Sequence, residues 1–210
     1  MTAADAVPSE FRDPAYRMRR FQNWMLVGLM YSFFYMTRYN FSALAPSLQE
    51  VFGWTKEDLG IFETIMPLVY GLSVAFNAPL ADKFGGRKAL LFGSVGVVLA
   101  NIAFGAFTFM IVSPAVWTGE GTARTMVHAA DLGGMAPHTL AWIMAALWGL
   151  NGYFQSFGAL SIVKVNAQWF HVRERGTFAG IFGVLIRFGL ILAFSGVPPD
   201  QGSGDRQSLG

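Results

Sequence analysis

The chain has 210 residues, of which 53% are hydrophobic and only 13% are charged, and it contains no cysteine. Soluble proteins carry about 25% charged residues, so this composition argues against a water-soluble enzyme domain. Without cysteine there is neither a disulfide framework nor a thiolate metal site. The net charge of +2 is too small to indicate a nucleic-acid-binding surface.

Five long apolar runs follow a polar N-terminal segment, residues 1–20, which we predict to be a cytoplasmic tail. Each run is long enough to cross the hydrocarbon core of a bilayer as a helix. The sequence therefore predicts an all-α, polytopic helical membrane protein with a membrane domain over residues 21–197 and a disordered polar tail over residues 198–210. The predicted helices cover residues 21–48, 58–81, 89–112, 139–170 and 176–197.

The basic residues outside the apolar runs are unevenly distributed between the two sides of the membrane. Nine of them fall on the side of the N-terminus, and three fall on the opposite side. Because loops rich in Lys and Arg remain in the cytoplasm, we predict that the N-terminus is cytoplasmic.

Three cations, Arg38, Lys164 and Arg187, lie inside the apolar runs. A charge at the centre of a membrane helix costs about 2.5 to 3.5 kcal/mol on insertion scales. One interpretation of Arg38 is an ion pair with Glu63, which lies at a comparable depth in the second helix. The other is an anion site, because a guanidinium donates a planar fork of hydrogen bonds to phosphate or carboxylate oxygens. The neighbours that would add donors to this site are Tyr35, Tyr39 and Asn40.

The other two cations lie at different depths. Lys164 is about 10 Å from the cytoplasmic end of its helix, so its side chain can extend towards the headgroups. Arg187 is about 15 Å deep and has no acidic residue in its own helix, so it must face a cavity, another helix or the lipid headgroups, and we favour the cavity. The phosphate-loop, HExxH and GxSxG motifs are missing. We therefore predict that the chain is not an enzyme and needs no metal or other cofactor.

Three segments resemble a known family. The sequence ADKFGGRK, residues 81–88, resembles the signature loop between helices 2 and 3 of the major facilitator superfamily. Residues 16–48, which include RYNFSALAP, are similar to helix 1 of its organophosphate:phosphate antiporter branch. Residues 151–176, which include NGYFQSFGALSIVKVNAQWF, are similar to helix 4 of that branch. This branch includes glycerol-phosphate and hexose-phosphate exchangers and their sensor relatives. The resemblance implies that the five helices belong to an N-terminal six-helix half.

The resemblance also implies roles for individual residues. Arg38 matches the helix 1 arginine that grips the substrate phosphate, and Lys164 matches a basic position on helix 4. Because helices 1 and 4 are equivalent elements of inverted repeats, both cations can face one central cavity, where Arg187 would add positive potential. In the signature loop, Asp82 and Arg87 would form a charge cluster that holds the outward-facing state. The loop residues in this prediction are Asp82, Lys83, Gly85, Arg87 and Lys88.

The implied function is secondary transport of a phosphorylated organic anion in exchange for inorganic phosphate, in the bacterial inner membrane. The polar end PPDQGSGDRQSLG cannot form a sixth membrane helix. We therefore expect an incomplete transporter that lacks its C-terminal half or works with a second membrane subunit. The alternatives are a membrane sensor of a sugar phosphate and a non-functional truncated fragment. The expected partners are organic phosphate, inorganic phosphate and the lipid bilayer, and no nucleic acid.

Overall fold

The computed structural model describes residues 13–111, 135–171 and 174–195. Within these ranges the regular elements are all helices, which confirms the predicted all-α class with five long helices. The tail predicted at residues 198–210 lies outside the described residues. The helices are α1 (Pro14–Phe52), α2 (Lys56–Phe84), α3 (Gly86–Ile111), α4 (Pro137–Trp169) and α5 (Arg175–Ser195).

Helix α1 begins at Pro14, several residues before the predicted start at residue 21. The Asp13 carboxylate caps it and accepts a hydrogen bond from the Ala15 backbone N–H at 3.1 Å. Proline at the first helical turn is favourable because its missing N–H would have no partner there. The last part of the predicted tail is therefore helical, because a helix can continue beyond the apolar run that composition detects.

The connection between α2 and α3 is shorter than the sequence indicated. The predicted helices leave residues 82–88 as a loop, whereas in the structure Gly85 alone separates Phe84 from Gly86. Gly85 has a φ of 79°, a conformation that glycine adopts at little cost. The charged residues of the signature loop consequently lie on the last turn of α2 and the first turn of α3, where helical geometry fixes their directions.

Helix α4 packs against both α2 and α3, while α5 packs mainly against α1. Aromatic side chains dominate the contact of α1, α2 and α4: the rings of Phe41 and Phe62 stack with centroids 4.3 Å apart, and Trp148 lies 5.4 Å from Phe41. A second cluster around Trp24 and Phe182 joins α1 to α5. Many large apolar side chains on the outer surface of the bundle are exposed, as expected for a surface in contact with lipid.

Three helical segments of the described chain are long and apolar enough to cross a membrane: α2, α3 and Gly176–Ser195 of α5. Helices α1 and α4 contain no apolar stretch of that length within their described residues, although their 39 and 33 residues would extend about 58 and 50 Å. These two helices contain Arg38 and Lys164, together with several buried amides. Several polar residues of these two helices, among them Arg38 and Gln155, contact each other inside the bundle.

Candidate functional site

Arg38 lies where α1 meets α2 and α4, and it is held on several sides. Its Nε donates a hydrogen bond to Gln155 Oε1 at 3.0 Å. The guanidinium carbon lies 4.9 Å from the ring centroid of Tyr35 and 4.4 Å from that of Tyr70, so two aromatic faces stabilise the charge. Arg38 Nη2 is buried and has no hydrogen-bond partner among the described residues. Such an unpaired charged donor is costly, and an oxygen anion would satisfy it.

A network of side-chain amides fixes the position of Gln155, which is fully buried. Its Nε2 donates to Thr37 Oγ1 at 3.3 Å and to Asn151 Oδ1 at 3.2 Å. Asn151 Nδ2 in turn donates to the Thr37 carbonyl oxygen at 3.3 Å, and Asn101 Nδ2 donates to Asn151 Oδ1 at the same distance. Because a satisfied buried network is rigid, Gln155 holds the Arg38 guanidinium in one orientation.

Arg38 and Glu63 line one cavity of about 230 Å³ between α1, α2 and α4. The described part of the chain contains no ion pair between them, so the structure does not contain the ion pair considered from the sequence. Arg38 instead bonds the neutral amide of Gln155, and the Glu63 side chain is exposed. The remaining walls are mostly apolar or aromatic and include Tyr39, Phe41, Phe62, Met66 and Trp148.

The three residues predicted to surround Arg38 fall on different sides of α1. Tyr35 lies under the guanidinium, and Tyr39 lines the cavity and stacks on Tyr35 with ring centroids 6.0 Å apart. Asn40 instead lines a separate cavity of about 300 Å³ beside Asn101. Two residues along a helix turn the side chain by about 200°, which explains why Asn40 points away from Arg38.

Lys164 lies at another level of the bundle. Its Nζ donates to the carboxylate of Asp82 at the end of α2. The nine-residue step along α4 from Gln155 to Lys164 corresponds to about 14 Å. The structure therefore places Lys164 at the signature loop and does not bring it to Arg38, although the resemblance implied one cavity shared by both cations. Asp82 pairs with Lys164 and forms no ion pair with Arg87 within the described ranges.

The other predicted cations are exposed. Arg187 is exposed on α5, as is the adjacent Phe188, and it does not line the cavity of Arg38. The remaining exposed cations of the signature loop are Lys83, Arg87 and Lys88.

Two residues of the site were missed by the sequence analysis. Gln155 could have been found, because Asn151 and Gln155 are spaced i,i+4 in an otherwise apolar run, which places two amides on one helix face. Tyr70 gave no such signal, since an isolated tyrosine in an apolar helix is equally consistent with a place at the membrane interface.

Comparisons with known proteins identify a family and several relatives of the chain. Residues 27–197 match the family model described as Major Facilitator Superfamily. The chain is 26% identical over 164 residues to the membrane sensor protein UhpC of Salmonella typhimurium, covering 78% of this chain and 30% of that protein. It is 25% identical over 198 residues to a probable hexose phosphate transport protein of Chlamydia trachomatis, covering 91% and 37%.

A third relative is the glycerol-3-phosphate transporter of Haemophilus influenzae, which is 27% identical over 183 residues, covering 87% of this chain and 32% of the relative. The chain thus spans about a third of the length of the curated relatives it matches. No solved structure matches the chain.

Proposed function

Because this chain belongs to the Major Facilitator Superfamily, we propose that it is part of a secondary transporter that exchanges a phosphorylated organic anion for inorganic phosphate in the bacterial inner membrane. The relatives matched above confirm the resemblance to the organophosphate branch. The observation that carries the proposal is the guanidinium of Arg38, which lines a cavity and leaves Nη2 unpaired. Phosphate oxygens are the acceptors that a guanidinium binds best.

In this proposal Arg38 is the phosphate-binding residue and its neighbours orient it. The hydrogen bond to Gln155 uses Nε, which leaves the two terminal nitrogens for the ligand. The ring centroids of Tyr35 and Tyr70 lie 4.9 and 4.4 Å from the guanidinium carbon, and a guanidinium donates its hydrogen bonds in its own plane. A phosphate group in that plane receives a bidentate pair of bonds.

One shared site also explains why transport would be an exchange. An unpaired guanidinium in a low-dielectric interior is unfavourable, so moving an empty site through the membrane would be slow. A bound phosphate or phosphate ester neutralises Arg38 and removes this barrier. Transporters of this architecture place the substrate between two helical halves near the bilayer midplane, and we propose that this chain by itself supplies the part of the site that binds the phosphate group.

Binding of the phosphate group tests the role of this site. The purified chain in nanodiscs should bind radiolabelled glucose 6-phosphate or glycerol 3-phosphate, and unlabelled inorganic phosphate should displace the label. Neutral glucose and glycerol are the matched controls and should not displace it. Displacement by the neutral compounds, or no displacement by phosphate, would contradict a site built on Arg38.

The alternative function is a membrane sensor of a sugar phosphate, which the similarity to UhpC favours. A measurement of phosphate exchange distinguishes the transporter from the sensor. Membrane vesicles from source cells with the gene intact or disrupted are loaded with inorganic phosphate and given labelled phosphate ester outside. Uptake that requires both the gene and internal phosphate supports the transporter, whereas binding without uptake supports the sensor.

We also propose that the N-terminus of α1 lies in the cytoplasm, from the distribution of basic residues. Lys83 and Lys56 are exposed and lie at opposite ends of α2. Since the chain has no cysteine of its own, Lys83→Cys should react with an impermeant maleimide only from the cytoplasmic side, and Lys56→Cys only from outside. The reverse labelling pattern would invert the orientation.

A further inference from the structure

Glu63 is a carboxylate on the wall of the cavity that contains Arg38. We propose that the substrate is a phosphate ester that also carries an amine, with its phosphate on Arg38 and its ammonium group beside Glu63. This inference rests on the proposed function, because it assumes that Arg38 binds phosphate. It adds a substrate class that the relatives' names do not specify.

The charges of the described residues leave Glu63 without a counter-ion from the protein. Lys164 pairs with Asp82 and Arg20 pairs with Glu174, while Arg38 is bonded to Gln155. A dianionic phosphate at Arg38 would be repelled by the Glu63 carboxylate, because both residues line one cavity of about 230 Å³ and like charges repel each other. A positive group on the ligand removes this repulsion.

The other walls of the cavity also suit an ammonium group. Tyr39, Phe62 and Trp148 line it together with Glu63, and aromatic faces attract cations. The guanidinium of Arg38 and the carboxylate of Glu63 both line the cavity, so a ligand with charges of both signs can pair with both groups. A ligand whose only charged group is phosphate pairs with Arg38 alone, and its negative charge repels the Glu63 carboxylate.

Two matched pairs of ligands test the proposal. Glucosamine 6-phosphate and glucose 6-phosphate differ by an ammonium in place of a hydroxyl, and so do 2-aminoethyl phosphate and 2-hydroxyethyl phosphate. We expect the amino compound of at least one pair to displace labelled inorganic phosphate about tenfold more effectively than its hydroxyl partner, as a charged hydrogen bond allows. Equal displacement within both pairs would overturn the proposal.

Variants of Glu63 test whether this residue causes the preference for the amino compound. Glu63→Gln should lose the preference for the amine and bind the hydroxyl compound more tightly, whereas Glu63→Asp should keep the preference in part. Glu57→Gln is the matched control, because Glu57 is an exposed carboxylate in the first turn of the same helix and does not line the cavity. A preference that persists in Glu63→Gln would contradict the assignment.

The same assay separates this inference from the proposed function. If all four esters displace phosphate and no amine is preferred, Arg38 remains the phosphate site and only the role of Glu63 is wrong. If none of the esters displaces phosphate, the proposed function itself fails.

Discussion

Arg38→Lys is expected to weaken binding of the organic phosphate by about ten- to a hundredfold although the positive charge is kept. A lysine ammonium is a point charge that cannot donate two parallel bonds to one phosphate. It also loses the hydrogen bond to Gln155 and the contact with the rings of Tyr35 and Tyr70. Loss of one charged hydrogen bond costs about 1.5 to 3 kcal/mol. Titration of the labelled ester into nanodiscs that contain each variant measures the change.

Lys164→Gln is the informative control for this experiment. The resemblance implied that Lys164 shares the phosphate cavity, whereas the structure pairs it with Asp82. Removal of the Lys164 charge should therefore leave the affinity for the ester within about twofold, because the partly exposed ion pair contributes little energy. Weak binding in Lys164→Gln together with normal binding in Arg38→Lys would move the phosphate site from α1 to α4.

Gly189→Ala is expected to destabilise the contact of α1 with α5. A Cβ built on Gly189 would clash with the carbonyl oxygen of Ser32, and a backbone atom cannot move aside as a flexible side chain can. The same segment of α1 is fixed by the hydrogen bond from Ser32 Oγ to the Leu185 carbonyl oxygen at 2.6 Å. Overpacking of this kind costs about 1 to 3 kcal/mol, which should lower the thermal midpoint in detergent.

Gly183→Ala provides the comparison on the same helix. A Cβ built on Gly183 would meet nothing within 4 Å, so the substitution should leave the midpoint unchanged or slightly raised, because alanine favours the helix. If both variants lose the same stability, the effect comes from the helix backbone and not from the contact with Ser32. Equal stability of Gly189→Ala and the native chain would mean that α1 and α5 lie farther apart.

The sequence was sufficient for the class of fold, because long apolar runs and charged connections follow directly from the thickness of a bilayer. It was also sufficient to identify Arg38 as a candidate site residue, because a charge inside a membrane helix is costly and usually marks a functional site. The helix ends were less predictable. The start of α1 depends on the Asp13 cap, and the turn at Gly85 depends on one backbone angle.

The partners of the buried cations could not be read from the sequence. Helix depth suggested Glu63 as the partner of Arg38, but depth along a helix does not fix the direction of a side chain. In the structure the neutral Gln155, 117 residues away in the chain, accepts the hydrogen bond. Likewise, Lys164 pairs across α2 and α4 with Asp82, a contact that depends on how these two helices are staggered. Tertiary packing decides such pairs, and a single sequence does not specify it.

The packing of α1 against α5 also affects how the protein is made. Ser32 and Leu185, which share a hydrogen bond, are 153 residues apart in the chain, and α5 is the last of the described helices to be synthesised. At ribosomal speeds of about 5 to 20 residues per second, the nascent α1 remains in the membrane for roughly 8 to 30 seconds without its main partner. During that interval, lipid or the insertion machinery must cover the surface of α1 that α5 later occupies.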